Sequence, residues 1–195
     1  MKPARLILAS ASPQRKSLLE GLGFTFEVHP SSIDESSWGE SDPLKRAIAL
    51  ACAKAQDVAK KFPDSHIIGC DTLVVASDGS LLEKAPDAKA AESMIRKLSG
   101  AVSTVHSALC IVAPGGTCHQ AVSSSSVHFK SLSEAEILWW ISTNLWRDRS
   151  GSFQIDGPGQ MMIEHLEGDW TGVVGLPVFV LGELLKKAEY DVLSC

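Results

Sequence analysis

A carboxylate inside an apolar strand is the first residue in this sequence to call for a chemical explanation. The run Ile67-Ile68-Gly69-Cys70-Asp71-Thr72-Leu73-Val74-Val75 reads as a strand covered on both faces. Only Asp71 and Thr72 interrupt it. A buried carboxylate is costly unless it is paired, hydrogen-bonded or on a metal. A strand-end Asp capping a turn would be the plain alternative, but three more β-formers follow Thr72. Asp71 is therefore a candidate catalytic base or metal ligand.

A second group gathers at the turn after the first apolar run. Arg5 to Ala9 reads as a short buried strand, Ser12 stands where a helix N-cap belongs, and Pro13 fits the first helical position. A strand turning into a helix there directs free N–H groups and a positive dipole end at one spot. Ser10, Ser12 and Arg15 add hydroxyls and a guanidinium, a set that suits an oxyanion, phosphate above all. A capped helix with solvated charges would look the same.

Other charges have less distinctive surroundings. The loop from Pro30 to Pro43 is Ser-rich and carries Asp34, Glu35, Glu40 and Asp42 beside Trp38. Such a loop is ordinarily just solvated, yet a carboxylate near a phosphate pocket can hold Mg²⁺. Lys54 falls about 70° off the apolar stripe of the next helix, where a lysine snorkels its ammonium to the edge. Lys84 ends a predicted return strand, Leu81 to Lys84, that follows the Asp78-Gly79-Ser80 turn and brings it back towards Asp71.

The elements that would position these residues alternate between strands and helices. Strands are predicted at Phe24–Val28, Ser103–Val112, Cys118–Phe129 and Met161–Leu166. Helices are predicted at Pro43–Lys61, at Ala85–Leu98, after Ser133, and from Val178 to about Ala188. Ser133 with Glu136 forms a capping box, and the helix behind it should bury Ile137, Trp140 and Ile141. The expectation is a mixed α/β domain over residues 1–195, a twisted sheet flanked by helices, with the hairpin-bearing half as a second lobe and a cleft between the lobes.

Composition narrows the function classes. The chain has 195 residues, 45% hydrophobic and 21% charged, with a net charge of −5. That balance argues against nucleic acid or an acidic membrane as partner. No run of about 18 apolar residues would span a bilayer. The first strand follows the initiator Met too closely to leave room for a signal peptide. Five cysteines (Cys52, Cys70, Cys110, Cys118 and Cys195) without C-x-x-C spacing suit a reducing cytoplasm. With no paired histidine motif either, any metal is expected to be a hard ion on carboxylates.

Taken together, these pieces resemble the Maf-like family of nucleoside triphosphate pyrophosphatases nearly end to end. The matching segments are Leu8-Ala9-Ser10-Ala11-Ser12-Pro13-Gln14-Arg15, Ile33-Asp34-Glu35, Ala53-Lys54-Ala55, Gly69-Cys70-Asp71-Thr72, Glu83-Lys84, Leu98-Ser99-Gly100, Gly151-Ser152-Phe153 and Val174-Gly175-Leu176-Pro177. Their order and spacing carry the likeness. It implies a fold like that of the inosine triphosphate pyrophosphatases and cleavage of a nucleoside triphosphate to the monophosphate and pyrophosphate with Mg²⁺ or Mn²⁺. By position, Asp71 would be the proton acceptor that activates water. Ser10, Ser12, Arg15, Lys54 and Lys84 would bind the triphosphate, and Glu35 with Asp71 would face the metal. A homodimer is implied by analogy alone.

Gln14, Thr72 and Asp156 bear on the base. Gln14 replaces a frequent Arg. Thr72 resembles the members acting on dTTP and UTP, whereas Asp156, with Gly151-Ser152-Phe153, leans towards those acting on 7-methyl-GTP. A carboxylate accepts two hydrogen bonds from a guanine edge; an amide both donates and accepts, as a uracil or thymine edge requires. The expectation from these residues is a house-cleaning enzyme for 7-methyl-GTP. A dTTP/UTP pyrophosphatase and a non-catalytic regulator of cell division or septum formation are the alternatives.

Overall fold

The structure, a computed structural model, describes residues 5–35 and 38–192. Ser36 and Ser37 of the predicted Pro30–Pro43 loop, and Cys195, lie outside them. The strands are β1 (Leu6–Leu8), β2 (Glu27–Val28), β3 (His66–Val75), β4 (Leu81–Leu82), β5 (Val102–Val112), β6 (Cys118–Phe129) and β7 (Ile163–Glu167). The helices are α1 (Pro13–Gly21), α2 (Pro43–Ala59), α3 (Ala88–Leu98), α4 (Glu134–Ser142), α5 (Trp170–Val174) and α6 (Val178–Lys187). Hydrogen bonding orders the sheet β2-β1-β3-β5-β6-β7, with β4 beside β3. β1 pairs in parallel with β2 and β3, while β3–β4 and β6–β7 are antiparallel. The expected mixed α/β sheet flanked by helices is thus what forms.

The chain divides into two compact units. The first comprises residues 1–71, 107–123 and 175–195, and the second 72–106 and 124–174. In the first, Leu6, Leu8, Ile68, Cys70, Leu109 and Ile111 pack with Leu19 of α1 and Leu181, Leu184 and Leu185 of α6. The alternate residues of β3 lie on the other face, under α2. Gly69 sets the spacing there. A Cβ at this position would lie 2.2 Å from the Ala51 carbonyl oxygen and 2.7 Å from the Ala55 Cβ. Only a glycine lets α2 come this close to β3. Gly69→Ala is therefore expected to push α2 outward at a cost of about 1–3 kcal/mol, a fall in Tm of roughly 3–10 °C by thermal denaturation.

In the second unit, α3 and α4 cover a core of Ile95, Leu98, Val127, Phe129, Ile137, Trp140, Trp146 and Phe153. The capping box forms as expected: Ser133 Oγ accepts from the Glu136 N–H, and the Glu136 carboxylate reaches back to the Ser133 N–H. Ile137 and Trp140 are buried, whereas Ile141 is only partly so.

Several elements differ from expectation for local reasons. The Phe24–Val28 strand shrinks to two exposed residues, since Phe24 and Phe26 pack against the first unit's core instead of extending the ladder. The Arg5–Ala9 strand keeps three residues and α2 stops at Ala59. α3 starts at Ala88 because the Asp87 side chain caps it through the Ala90 N–H at 2.8 Å. Ahead of β7, Pro158–Met162 winds into a 3₁₀ turn. α5 was not expected at all; Asp169 precedes it, and its carboxylate accepts from the Thr171 N–H at 2.9 Å. No helix among the described residues is long and apolar enough to cross a membrane.

Candidate active site

The first unit brings together most of the residues singled out in the sequence. β1 and β3 run parallel with Leu8 opposite Ile68, so Ser10 and Asp71 both follow at the carboxyl side of that pairing, the side where open α/β sheets bind ligands. Asp71 shares its face of β3 with Gly69, the face covered by α2. The close approach at Gly69 carries Lys54 down with the helix. Lys54 Nζ donates to Asp71 Oδ1 at 2.7 Å and stands 3.0 Å from Glu35 Oε2. Lys54 is 6% exposed and Asp71 4%.

The snorkelling expected of Lys54 is overturned: its ammonium points inward, bridging a buried carboxylate and a half-exposed one. The flank position read from helical periodicity is overturned with it: Lys54 lies on the buried face of α2 with Ala47, Leu50, Ala51, Ala55 and Val58. What periodicity lacks is the partner, an inward carboxylate reached only because residue 69 has no side chain.

Burial pushes the Asp71 carboxyl above its ordinary range, against the lowering pull of Lys54 and Arg15, while Glu35 adds to the rise. The acid therefore holds its proton to a higher pH than a solvated aspartate. Its Oδ2 is buried without a hydrogen-bond partner among the described residues. An oxygen in that condition is fitted to accept a proton or to ligate a cation.

Ser10, Ser12 and Arg15 form the neighbouring polar cluster. Ser12 is the N-cap of α1, accepting from the Arg15 N–H, and its hydroxyl donates to Gln14 Oε1 at 2.8 Å. Gln14 is thus bound into the cap. Arg15 Nη1 donates to Ser10 Oγ and Nε to the Gly175 carbonyl, both at 2.9 Å. The Gly175 carbonyl is a positioning group that sequence reasoning missed; in the structure its residue sits at φ 127, a backbone that favours glycine. The guanidinium is fixed in aim before any anion arrives.

The divalent cation implied by the resemblance fits this donor set. A hard ion takes oxygen ligands and completes its shell with water and phosphate. Asp71 offers a buried unpartnered oxygen, and Glu35 a carboxylate on the same lysine. No group of three or more His, Cys, Asp or Glu side chains among the described residues forms a metal cage by itself.

The remaining candidates lie in the second unit. Thr72 points to the opposite face of β3 from Asp71, and its carbonyl accepts from Ser150 Oγ at 3.1 Å. β4 ends at Leu82, two residues short of expectation; Lys84 is exposed and bridges Ser150 instead. Asp156 is half of an ion pair, its Oδ1 3.2 Å from Arg149 Nη1 and 3.4 Å from Gln154 Nε2, with Arg149 and Asp156 side chains 18% and 25% exposed. The loop carrying it is anchored by Trp140 Nε1 donating to the Ser152 carbonyl and by the Gly151 N–H donating to the Leu82 carbonyl, both at 2.8 Å. Gly157 leaves room for Gln154, whose Nε2 lies 2.0 Å from where a Cβ would stand.

Comparison with known proteins agrees with the segments quoted above. The Maf-like protein family model matches residues 5–188. A dTTP/UTP pyrophosphatase of Pyrococcus furiosus is 41% identical over 93% of this chain and 94% of its own. One from Treponema denticola is 40% identical over 96% and 98%, and one from Deinococcus radiodurans 38% over 94% and 93%. A solved nucleoside-triphosphatase (dITP/XTP pyrophosphatase) structure from Mycobacterium abscessus superposes on 66% of this chain and 75% of that one, at 13% identity and a TM-score of 0.46.

Proposed function

Because the chain belongs to the Maf-like family, we propose that it is a nucleoside triphosphate pyrophosphatase, a hydrolase of the phosphoric anhydride, acting on dTTP and UTP. The observation that carries the reaction class is the buried Asp71 carboxylate, with one oxygen on Lys54 and the other unpartnered. In this reading Asp71 takes a proton from water, and the water oxygen attacks the α-phosphorus. The bond from that phosphorus to the α–β bridging oxygen breaks, releasing monophosphate and pyrophosphate. Lys54 and Arg15 neutralise phosphate charge from fixed positions, which costs no reorganisation during the reaction. A divalent cation held by Asp71 and Glu35 supplies further charge neutralisation when bound.

For the base, the relatives' names and Thr72 both favour a pyrimidine. Asp156 supported 7-methyl-GTP as a pure double acceptor. Its Oδ1 is instead engaged by Arg149 and Gln154, so Asp156 enters any recognition as part of a carboxylate–guanidinium–amide group with donors and acceptors both. That mixture suits the alternating edge of uracil or thymine better than a lone carboxylate does. Lys84 keeps a phosphate-binding role by the family resemblance.

The test is pyrophosphate release from dTTP, UTP, CTP, GTP and 7-methyl-GTP with Mg²⁺ and with Mn²⁺. dTTP and UTP are expected to lead, and Arg149→Ala to lower their kcat/KM by about 10-fold or more through loss of discrimination at the base. Preference for 7-methyl-GTP would overturn the pyrimidine reading. Phosphate in place of pyrophosphate would overturn the scission site, and nucleotide binding without turnover would leave the regulatory role.

A further inference from the structure

Three cysteines that the proposed chemistry does not use gather on the face of the first unit covered by α2. Cys52 lies on α2, Cys110 on β5 and Cys118 at the start of β6. β5 and β6 are neighbours in the sheet, joined through the Pro114–Gly116 turn in which the Ala113 N–H donates to the Thr117 carbonyl at 2.8 Å. Leu109 and Ile111 face α1 and α6, so Cys110 faces α2. The helix is seated there by paired polar contacts: the Cys52 thiol donates to Gln120 Oε1, and one turn on Gln56 Nε2 donates to Cys118 Sγ at 3.6 Å. The Cys110 side chain meets those of Cys52 and Cys118 at this seat.

We propose that Cys52 and Cys110 form a reversible, peroxide-driven disulfide that switches off the site carried by α2. The inference rests on the function proposed above for Lys54 and Asp71. In the first step the Cys52 thiolate attacks hydrogen peroxide, the O–O bond breaks, and Cys52 becomes a sulfenic acid as hydroxide leaves. In the second the Cys110 thiol displaces that hydroxyl as water, and the sulfur–sulfur bond forms. Peroxide is the oxidant, and two thiols have lost two hydrogens.

The roles of the two thiols follow from their surroundings. Cys52 is partly exposed and Cys110 fully buried, so peroxide reaches Cys52 first. Contact with Cys110 holds the Cys52 thiol below its ordinary range. The same contact, with burial added, keeps Cys110 protonated. An accessible thiol that gives up its proton more readily, beside an enclosed thiol that keeps its own, is the arrangement of an attacking and a resolving cysteine. Cys118 is exposed beside them and gives an external thiol a way in for reduction by exchange.

Bond formation has a consequence along the helix. A disulfide is about 2.05 Å long, far shorter than a thiol–thiol contact, so closing it draws α2 against β5 at Cys52. Cys52 stands between Ala51, whose carbonyl already abuts Gly69, and Lys54, which holds Asp71. With no slack at Gly69, the helix turns or slides, and the Lys54–Asp71 contact is displaced. Shifts of about 1 Å at a catalytic pair can cost on the order of 10²-fold in rate.

The experiment is peptide mapping of the full chain after brief exposure to a small excess of hydrogen peroxide, with remaining thiols alkylated and no reductant present. A linked Cys52–Cys110 peptide pair, lost on treatment with dithiothreitol, is the expected result. Cys110→Ser should leave Cys52 as a sulfenic acid that dimedone labels, and Cys52→Ser should leave Cys110 reduced. Pyrophosphate release should fall at least 10-fold on oxidation and return with dithiothreitol, while Cys52→Ser turns over normally and ignores peroxide. Linkage of Cys118 or Cys195 with Cys52 still reduced would overturn the proposal, and so would a Cys52–Cys110 bond without effect on turnover. If the reduced protein cleaves no triphosphate, the pyrophosphatase reading has failed, and the peptide map still decides whether the disulfide exists.

Discussion

Asp71→Asn is expected to lower the rate of pyrophosphate release by about 10²–10⁴-fold, the range for loss of a general base, with the fold and nucleotide binding retained. The carboxamide has nearly the shape of the carboxylate, and its oxygen can still accept from Lys54. It cannot take a proton from water. The substitution also leaves the buried Lys54 ammonium with Glu35, 3.0 Å away, as its carboxylate partner in place of Asp71, so Tm should fall by part of what breaking a buried ion pair costs. Equilibrium binding of a triphosphate alongside turnover separates the two roles: a loss in kcat with a near-normal dissociation constant is the expected pattern. Turnover within 10-fold of the native protein would sink the role assigned to Asp71.

In that role the same residue should set the acid side of the pH profile. A solvated aspartate ionises near pH 4, but burial raises Asp71 above that. A base must be unprotonated to act, so activity should rise with pH along a limb displaced upward from the ordinary carboxylate range. A limb at the ordinary range would mean that some other carboxylate is being titrated.

How far the sequence disclosed this site depends on which interactions were local. The Ser12 N-cap, the Ser133–Glu136 capping box and the cover on both faces of β3 are written in short spacings, and each formed. Asp71 stood out because a single charge in an apolar run is costly wherever the run folds. Long-range pairings were not legible in that way. Nothing near residue 54 foretells an aspartate 17 positions later meeting its ammonium. Gly69 drew no reading of its own from the sequence, because its role exists only once α2 lies on it. The Phe24–Val28 strand failed because an alternating pattern records burial, and the two phenylalanines are partly buried by packing against the first unit's core, away from a ladder. The Asp156 reading concerned what the residue is, whereas the Arg149 beside it decides what it presents.

Lys54→Met separates the electrostatic contribution of the lysine from its packing. Methionine has a similar length and fills the apolar path along α2, so the loss is confined to the charge. Removing one partner of a buried ion pair costs about 3–5 kcal/mol because the other charge is left uncompensated, a fall of roughly 6–20 °C in Tm for a chain of this size. The remaining partner can escape that cost by taking up a proton. Lys54 is one of the groups holding the Asp71 carboxyl down, so its loss raises that carboxyl further. A group whose folded-state pKa is raised contributes stability at low pH and loses it as pH climbs through the folded value. The deficit in Tm should therefore be small at acidic pH and widen as pH increases, and thermal denaturation across that range reads it directly. Activity responds in the same direction: the acid limb moves to higher pH, and KM for the triphosphate rises as one phosphate-binding cation is lost. Lys54→Arg keeps the charge but not the compact point contact at Asp71, so it should restore most of the stability and little of the turnover. A Lys54→Met protein whose Tm deficit does not change with pH would show that Asp71 is not the group left exposed to its own desolvation, and that the pair at 2.7 Å is held together by something other than charge.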